Sequence, residues 1–478
     1  MKKYTIISLS SLFLIGMSVF SCSKSLDNSE ETLPQKKVNA NIPANFASSK
    51  VVADGGAATF STSEKVYVYN NATSTLDADY LSPDADGATA NLKGSLSGTY
   101  SAGNSLKLLY NTTSEGIADY TNQDGTLENV VDAATATVKV QTADAESFTT
   151  RTAYFENLQS IFKFTFKDPD DNVINVRFVS IVSENNKLQS SYDILNETPT
   201  YGSVSIANKT TQTTVYVALR FTSNPSETIL FSVVDENGKV YTGTKTSPST
   251  GFKIGRFYSS TITVQAHTFT IASGKKVYFA PSNLYFEDGE YKFLSSTFIN
   301  KELFNTESTR PTVASSANCI EVYDIPGWYV PSNHEWEMLG HGYYDVGRRF
   351  VDAPSLDIMA YRIITDERTN NVFGLLLLPD DYTNAERKEE LENEEKYSTN
   401  SNMYYFKKNV NIFKYLAKGC VFLPDAPDKN AHSYYLSTTG YELRFSKDGY
   451  SSSYGILPYS GFGGSTATEA AVRLIHEE

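Results

Sequence analysis

Between about residue 38 and residue 266, apolar and polar residues alternate with a period of two. "KVYVYN" (65–70), "SLKLLY" (105–110) and "TATVKVQT" (135–142) show it first, separated by the turn-rich stretches "SPDADGATA" and "NQDGT". Successive side chains of a strand point to opposite faces, so this spacing predicts short half-buried strands joined by turns. No long amphipathic helix pattern occurs before Phe148, and the segment reads as all-β. The following strands are stronger. "SIFKFTF" (160–166) puts Phe162, Phe164 and Phe166 on one face, and "VRFVSIVS" (176–183) and "TVYVALRF" (214–221) follow. "TILFSVVDENGKVYTGT" (228–244) predicts a hairpin around Asn237-Gly238, a pair suited to the positive φ angles of a type I′ turn. "GFKIGRFYSSTITV" (251–264) closes this part, with Ile262 and Val264 facing inward.

From His267 the texture changes. "SGKKVYFAPSNLYF" opens a new unit, and "GWYVPSNHEWEML" (327–339) follows. Ser332 and Glu335 have the spacing of a capping box, which places Trp336 and Leu339 on one face of a helix. "GLLLLPD" (374–380) and "GCVFLPDA" (419–426) are apolar runs stopped by proline and predict buried strands; "AAVRLI" (470–475) ends the pattern. The charge run "DDYTNAERKEELENEEKYS" (380–398) predicts a solvated surface helix, capped by Thr383 to Glu386 and supported by the Glu392–Lys396 pair.

The amino end carries a different signal. Lys2 and Lys3 precede a mostly apolar stretch, Ile6 to Phe20, shorter than the roughly 20 residues that span a bilayer. Val19-Phe20-Ser21-Cys22 resembles the lipobox of bacterial lipoproteins, with Phe20 where a small residue is usual. That resemblance implies cleavage before Cys22 and acylation of Cys22. An ordinary secretory leader with an incidental cysteine is the alternative. Several acyl chains on one residue anchor firmly, because each buried CH2 contributes about 0.8 kcal/mol. Residues 1–21 are then a signal peptide and 22–38 a polar, flexible, lipidated tether on an outer membrane or cell surface.

The formal charge of −14 among 478 residues argues against nucleic acid, which binds basic surfaces. Tyr (32) and Phe (27) are plentiful while Trp (2) and Met (5) are scarce, a strand-rich balance. Beyond Cys22 only Cys319 and Cys420 remain; in an oxidising compartment they could pair, or stand as two buried thiols.

Residues 39–151 and 152–266 resemble the fimbrillin family, subunits of type V pili. The resemblance rests on the lipoprotein-like start, on "YFENLQSIFKFTF", and on a closing strand with Gly255, Tyr258, Thr261, Ile262 and Val264. It implies two transthyretin-like β-sandwiches, and partners that are other pilus subunits joined by strand exchange. Residues 267–478 resemble a C-type-lectin-like domain of the branch related to formylglycine-generating enzymes, through Trp328, Pro331, Ser332, Glu335, Trp336, the run Gly419 to Pro424, and Val472-Arg473-Leu474. The expected fold class is mainly β: two sandwiches followed by an α+β domain.

Catalytic signatures fail one by one. His334-Glu335 would need a second His at 338 to hold zinc, and that residue is Met338; His341 is out of register. The loop motifs of calcium-binding lectins are absent, and "LPD" at 378–380 and 423–425 is better read as strand ends. Cys319 and Cys420 lack the close spacing of the copper-binding cysteines of formylglycine-generating enzymes. No enzyme, metal or cofactor is expected. The tyrosine-dense stretch 432–462 offers Tyr441, Arg444, Tyr450 and Tyr454 as candidates for contact with a glycan or protein, since tyrosine presents a flat apolar face with a hydroxyl at its edge. The expected role is a cell-surface adhesin at the tip of a pilus or accessory to it. A stationary glycan-binding lipoprotein is the alternative.

Overall fold

The computed structural model describes residues 37–46, 59–121, 123–272, 274–295, 304–305, 319–332, 335–336, 360–363, 374–382, 394–396, 404–406, 411–424, 432–436, 442–446, 457–458 and 469–478. All belong to one unit, Lys37–Glu478. The fold is mainly β, and among the described residues the one assigned helix of more than two residues is α1 (Ile412–Leu416).

The first sheet is built from β1 (Val38–Phe46), β2 (Val66–Asn70), β3 (Thr75–Pro83), β4 (Thr89–Leu96) and β5 (Ser105–Tyr110), then β7 (Ala134–Ala143), β8 (Ser147–Thr150) and β9 (Ala153–Asn157). The strand order is β4-β3-β2-β5-β7-β8-β1-β9, and a further pairing of β4 with β1 closes it into a barrel. Ile42, Val66, Val68, Leu81, Leu92, Leu106, Leu108 and Phe148 fill its interior. The short β6 (Ile117–Asp119) leaves the barrel and pairs with the second domain. The first sheet therefore runs to Asn157, past the boundary expected at residue 151.

The second domain is a sandwich. One sheet has the order β13 (Thr198–Tyr201), β12 (Leu188–Asp193), β15 (Val215–Phe221), β10 (Ser160–Lys167), β18 (Phe257–Thr263); the other has β14 (Val204–Gln212), β11 (Val176–Ser183), β16 (Thr228–Asp235), β17 (Val240–Thr246), β19 (Gln265–Ala266). As the alternation predicts, Phe162, Phe164, Phe166, Ile262 and Val264 all point into the core between the sheets. Phe164 meets Phe231 edge-on at 5.0 Å. The β16–β17 hairpin differs from the expected two-residue I′ turn. Gly238 has φ +81, whereas Asn237 is not among the positive-φ residues. The Asp235 amide bonds the Lys239 carbonyl (3.1 Å), and the Asp235 carboxylate accepts from the Asn237 and Lys239 amides (both 2.9 Å). The acidic side chain adds these two bonds to the main-chain ones, which include the Gly238 amide to the Asp235 carbonyl (3.2 Å), so a longer loop wins over the two-residue Asn-Gly turn.

In the third part, Phe269–Ala272, Lys275–Phe279 and the chain end Ile475–Glu477 form one sheet. Gly374–Leu377 and Val421–Pro424 are strands, as expected. The capping box forms: the Ser332 amide donates to the Glu335 carboxylate (2.7 Å) and the Glu335 amide to Ser332 Oγ (3.3 Å). Trp336 is buried. The helix expected over 380–398 is corrected at its end: Glu394–Lys396 is a strand, paired with Tyr404–Phe406. Tertiary pairing there overrides the local helical charge pattern. Residues 383–393 lie outside the described residues.

The third part is packed tightly on the second. Every residue of β11 is buried, because Val179 and Ile181 face the sandwich core while Phe178 and Val182 face the other way. Phe178 stacks on Tyr323 (5.2 Å), and Arg177 donates to the Tyr323 carbonyl (2.8 Å) and to Asp324 (2.7 Å).

Candidate functional site

The feature with the most distinctive geometry is the seat of β1. On one side β1 runs antiparallel to β4, from Val38 opposite Leu96 to Asn45 opposite Thr89. On the other side it runs parallel first to β8 (Asn39 to Asn41 beside Ser147 to Thr149) and then to β9 (Ala44 to Phe46 beside Ala153 to Phe155). Ala40, Ile42, Ala44 and Phe46 are buried, and Asn39 and Asn41 face solvent. Phe46 stacks on Phe60 at 4.2 Å and meets Tyr110 at 5.3 Å. The slot is thus a row of alternating small and large sockets between two ladders.

Pro43 would normally argue against a strand paired on both sides, because it lacks an N–H. Its position resolves the conflict. The Asn39 amide donates to the Glu146 carbonyl (2.8 Å), so odd-numbered amides of β1 face the β8 side. Pro43 is then directed at the break between β8, ending at Thr150, and β9, starting at Ala153, where no ladder bond is required. At the head of the strand, Lys37 pairs with Asp79 at 2.8 Å. The Lys37 ammonium and the Ser97 hydroxyl hold the Asp79 carboxyl below its ordinary value. Sequence reasoning did not single out β1: two of its inward residues are alanines and its centre is a proline, which mute the alternation.

The other chain end is closed off. Ile475–Glu477 pairs with Lys275–Phe279, and Ile475 also bridges to Tyr329. Lys275 reaches Glu335 at 2.7 Å and Glu477 at 3.1 Å. Two residues earlier, Arg473 is buried: Nε donates to Asn283 Oδ1 (2.9 Å), Nη1 to the Ala280 carbonyl (2.9 Å) and Nη2 to the Phe422 carbonyl (2.8 Å). Burial lowers its pKa to about 10. The guanidinium ties the chain end to two other segments of the third part.

Of the residues expected to bind a ligand, Arg444 lies in the strand Glu442–Ser446, opposite Tyr434 and Leu457. Tyr441, Tyr450 and Tyr454 lie outside the described residues, as do Cys22, His334, Met338, Leu339 and His341. Cys319 is half-buried and Cys420 buried, and no disulfide joins them. Among the described residues no group of His, Cys, Asp and Glu is placed to hold a metal ion.

No protein-family model matches the chain, and no curated protein matches it. Solved structures do. A proposed cell adhesion protein from Bacteroides uniformis aligns at 11% identity and a TM-score of 0.30, covering 48% of this chain and 96% of that one. A proposed cell adhesion protein from Bacteroides ovatus aligns at 15% identity, TM-score 0.28, with 48% and 96% covered. A fimbrial assembly protein from Parabacteroides distasonis aligns at 9% identity, TM-score 0.28, with 50% and 94% covered.

Proposed function

We propose that the protein is a cell-surface adhesin subunit that accepts a strand from a neighbour and donates none. The observation behind this reading is the contrast between its two ends. β1 fills a slot bordered by separate ladders and inserts alternate side chains, the arrangement by which an added strand gains both main-chain bonds and side-chain specificity. Ile475–Glu477 and Arg473 are held inside the third part, so this segment is not free to serve as a neighbour's strand. An acceptor whose own Ile475–Glu477 strand is kept at home would sit at a filament tip or as an accessory there, lipid-anchored through Cys22 before maturation. The third part, with the lectin-like resemblance, would then contact a glycan or protein through the tyrosine-dense stretch 432–462, which includes Arg444.

The slot also specifies what it takes: alanine-sized residues at the Ala40 and Ala44 sockets, a branched aliphatic at Ile42 and an aromatic at Phe46. The test is a chain begun at residue 59 offered a synthetic peptide of sequence VNANIPANF. Saturable binding, abolished when the Ile42 and Phe46 equivalents are changed to Asp, is expected. Failure to bind, from a chain that retains its β content, rejects the reading.

One observation favours a stationary surface protein instead. In the fimbrillins that residues 39–266 resemble, subunits are commonly matured at an arginine after the first strand, whose loss opens the slot; no arginine occurs between Met1 and Thr150, so such a protease has no site between β1 and β2. Immunogold labelling of intact cells with antibody to residues 267–478 separates the two: label at filament ends supports the tip, and diffuse label supports the stationary form.

A further inference from the structure

Within its own sequence the edge strand β18 carries none of the usual protections against pairing. Its seven residues, Phe257–Thr263, contain no charge and no proline, and its ladder to β10 runs without a bulge from Ile161–Phe257 to Lys167–Thr263. Natural edges are commonly guarded by lysine, proline, bulges or a covering element. Among the described residues no strand pairs with the other side of β18. The ladder's parity follows from its two ends: the Ile161 amide donates to the Arg256 carbonyl (3.0 Å) and the Val264 amide to the Lys167 carbonyl (2.8 Å). Even-numbered residues of β18 therefore serve β10. Phe257, Ser259 and Thr261 turn their N–H and C=O groups to the open edge, while the Thr263 carbonyl already lies against Gly243 of β17. Ser259, Thr261 and Thr263 are exposed.

We infer that this edge pairs antiparallel with the same strand of a second copy, forming a two-fold dimer. The self-complementarity is specific. With Ser260 on the two-fold axis, Ser259 lies opposite Thr261 on both sides of it. These are residues with outward groups, so the two central pairs exchange both of their bonds while Ser260 meets Ser260 at a non-hydrogen-bonded site. The charges agree with this register. The start of the strand is flanked by exposed Lys253 and Arg256. The far end is flanked by the loop with Asp170 and Asp171, of which Asp171 is paired with Lys167, and by Asp381, which accepts from Gln265 and pairs with His267. Antiparallel pairing sets each basic end beside the partner's acidic end. The inference is independent of the strand slot, which lies in the other domain.

Sedimentation equilibrium of the purified full-length chain tests it. A concentration-dependent monomer–dimer equilibrium is expected. Thr261→Pro, which removes an outward N–H, and Ser259→Lys, which sets like charges diagonally across the axis, should each raise the dimer dissociation constant at least about tenfold. Arg256→Glu should weaken the dimer more at low salt than at high salt. Ser260→Cys should yield a disulfide-linked dimer on mild oxidation of the folded chain. Monomer throughout the accessible concentration range, or a dimer that folded Ser259→Lys and Thr261→Pro chains form as tightly as the parent, overturns the proposal.

Discussion

Ile42 of β1 stands directly opposite Leu92 of β4, and both side chains are fully buried. They are the centre of the contact by which the first strand closes the barrel. Ile42→Ala should therefore destabilise that domain by about 2–5 kcal/mol, the range for truncating a buried aliphatic side chain. Asn41, its exposed neighbour, is the control: Asn41→Ala should stay within about 0.5 kcal/mol. Urea unfolding followed by tyrosine fluorescence reads both. Equal effects at the two positions would mean that the strand is held by its backbone ladders alone.

The same strand shows where sequence reasoning stopped. Strands with bulky alternating residues were legible: β10, with Phe162, Phe164 and Phe166, and β7 lie where the period of two puts them. β1 was not, because alanine and proline carry little hydrophobic signal and the role of Pro43 depends on a break in a strand more than a hundred residues away. β2 misled in the other direction. Its alternation implied one wet face, yet Tyr67 is covered by packing with the second sandwich's core. Which elements lie on a strand's far face is tertiary information that a local window does not contain.

The second sandwich and the third part should unfold together. Phe178, Val234 and Val240 from the sandwich share one apolar cluster with Tyr278, Leu284, Phe293 and Trp328. Phe178→Ala removes a fully buried ring that stacks on Tyr323 and should cost about 3–5 kcal/mol. Scanning calorimetry of the full-length chain should show no separate transition for the third part, and the transition it shares with the sandwich should move downward in the variant. A separate transition for the third part in the unmodified protein would contradict a shared core.

Arg473 makes a sharper case, because its surroundings cannot be satisfied by a smaller group. Its guanidinium reaches Asn283, Ala280 and Phe422 in three directions from a buried position. Arg473→Ala strands those oxygens and should cost about 3–5 kcal/mol, as when one member of a buried polar network is deleted. Arg473→Lys should recover only part of this, since an ammonium on a flexible stem cannot reproduce the planar fork. Full recovery by lysine, measured by thermal unfolding, would show that charge rather than geometry matters.

Acid should loosen the wall of the slot, and Asp84 is the group to follow. It lies between β3 and β4, accepts from the Asn91 amide (2.8 Å) and pairs with Lys93 (2.9 Å). Lys93 first, and then Asn91, hold its carboxyl at about 2, below the ordinary 3.8. A carboxyl depressed in the folded state favours folding fully above the ordinary value, and that contribution is lost as pH falls from the ordinary value toward the lowered one. Asp79, depressed by Lys37 and Ser97, acts in the same direction at the head of β1. Asp235 opposes them: burial raises its pKa, so the folded chain takes up its proton more readily and gains stability as pH falls. Asp84→Asn should therefore flatten the acid limb of the stability curve between about pH 4 and pH 2, while lowering stability at pH 7. Urea midpoints across that interval provide the measurement. An unchanged acid limb in the variant would place the acid sensitivity elsewhere, with Asp79→Asn the next substitution to examine.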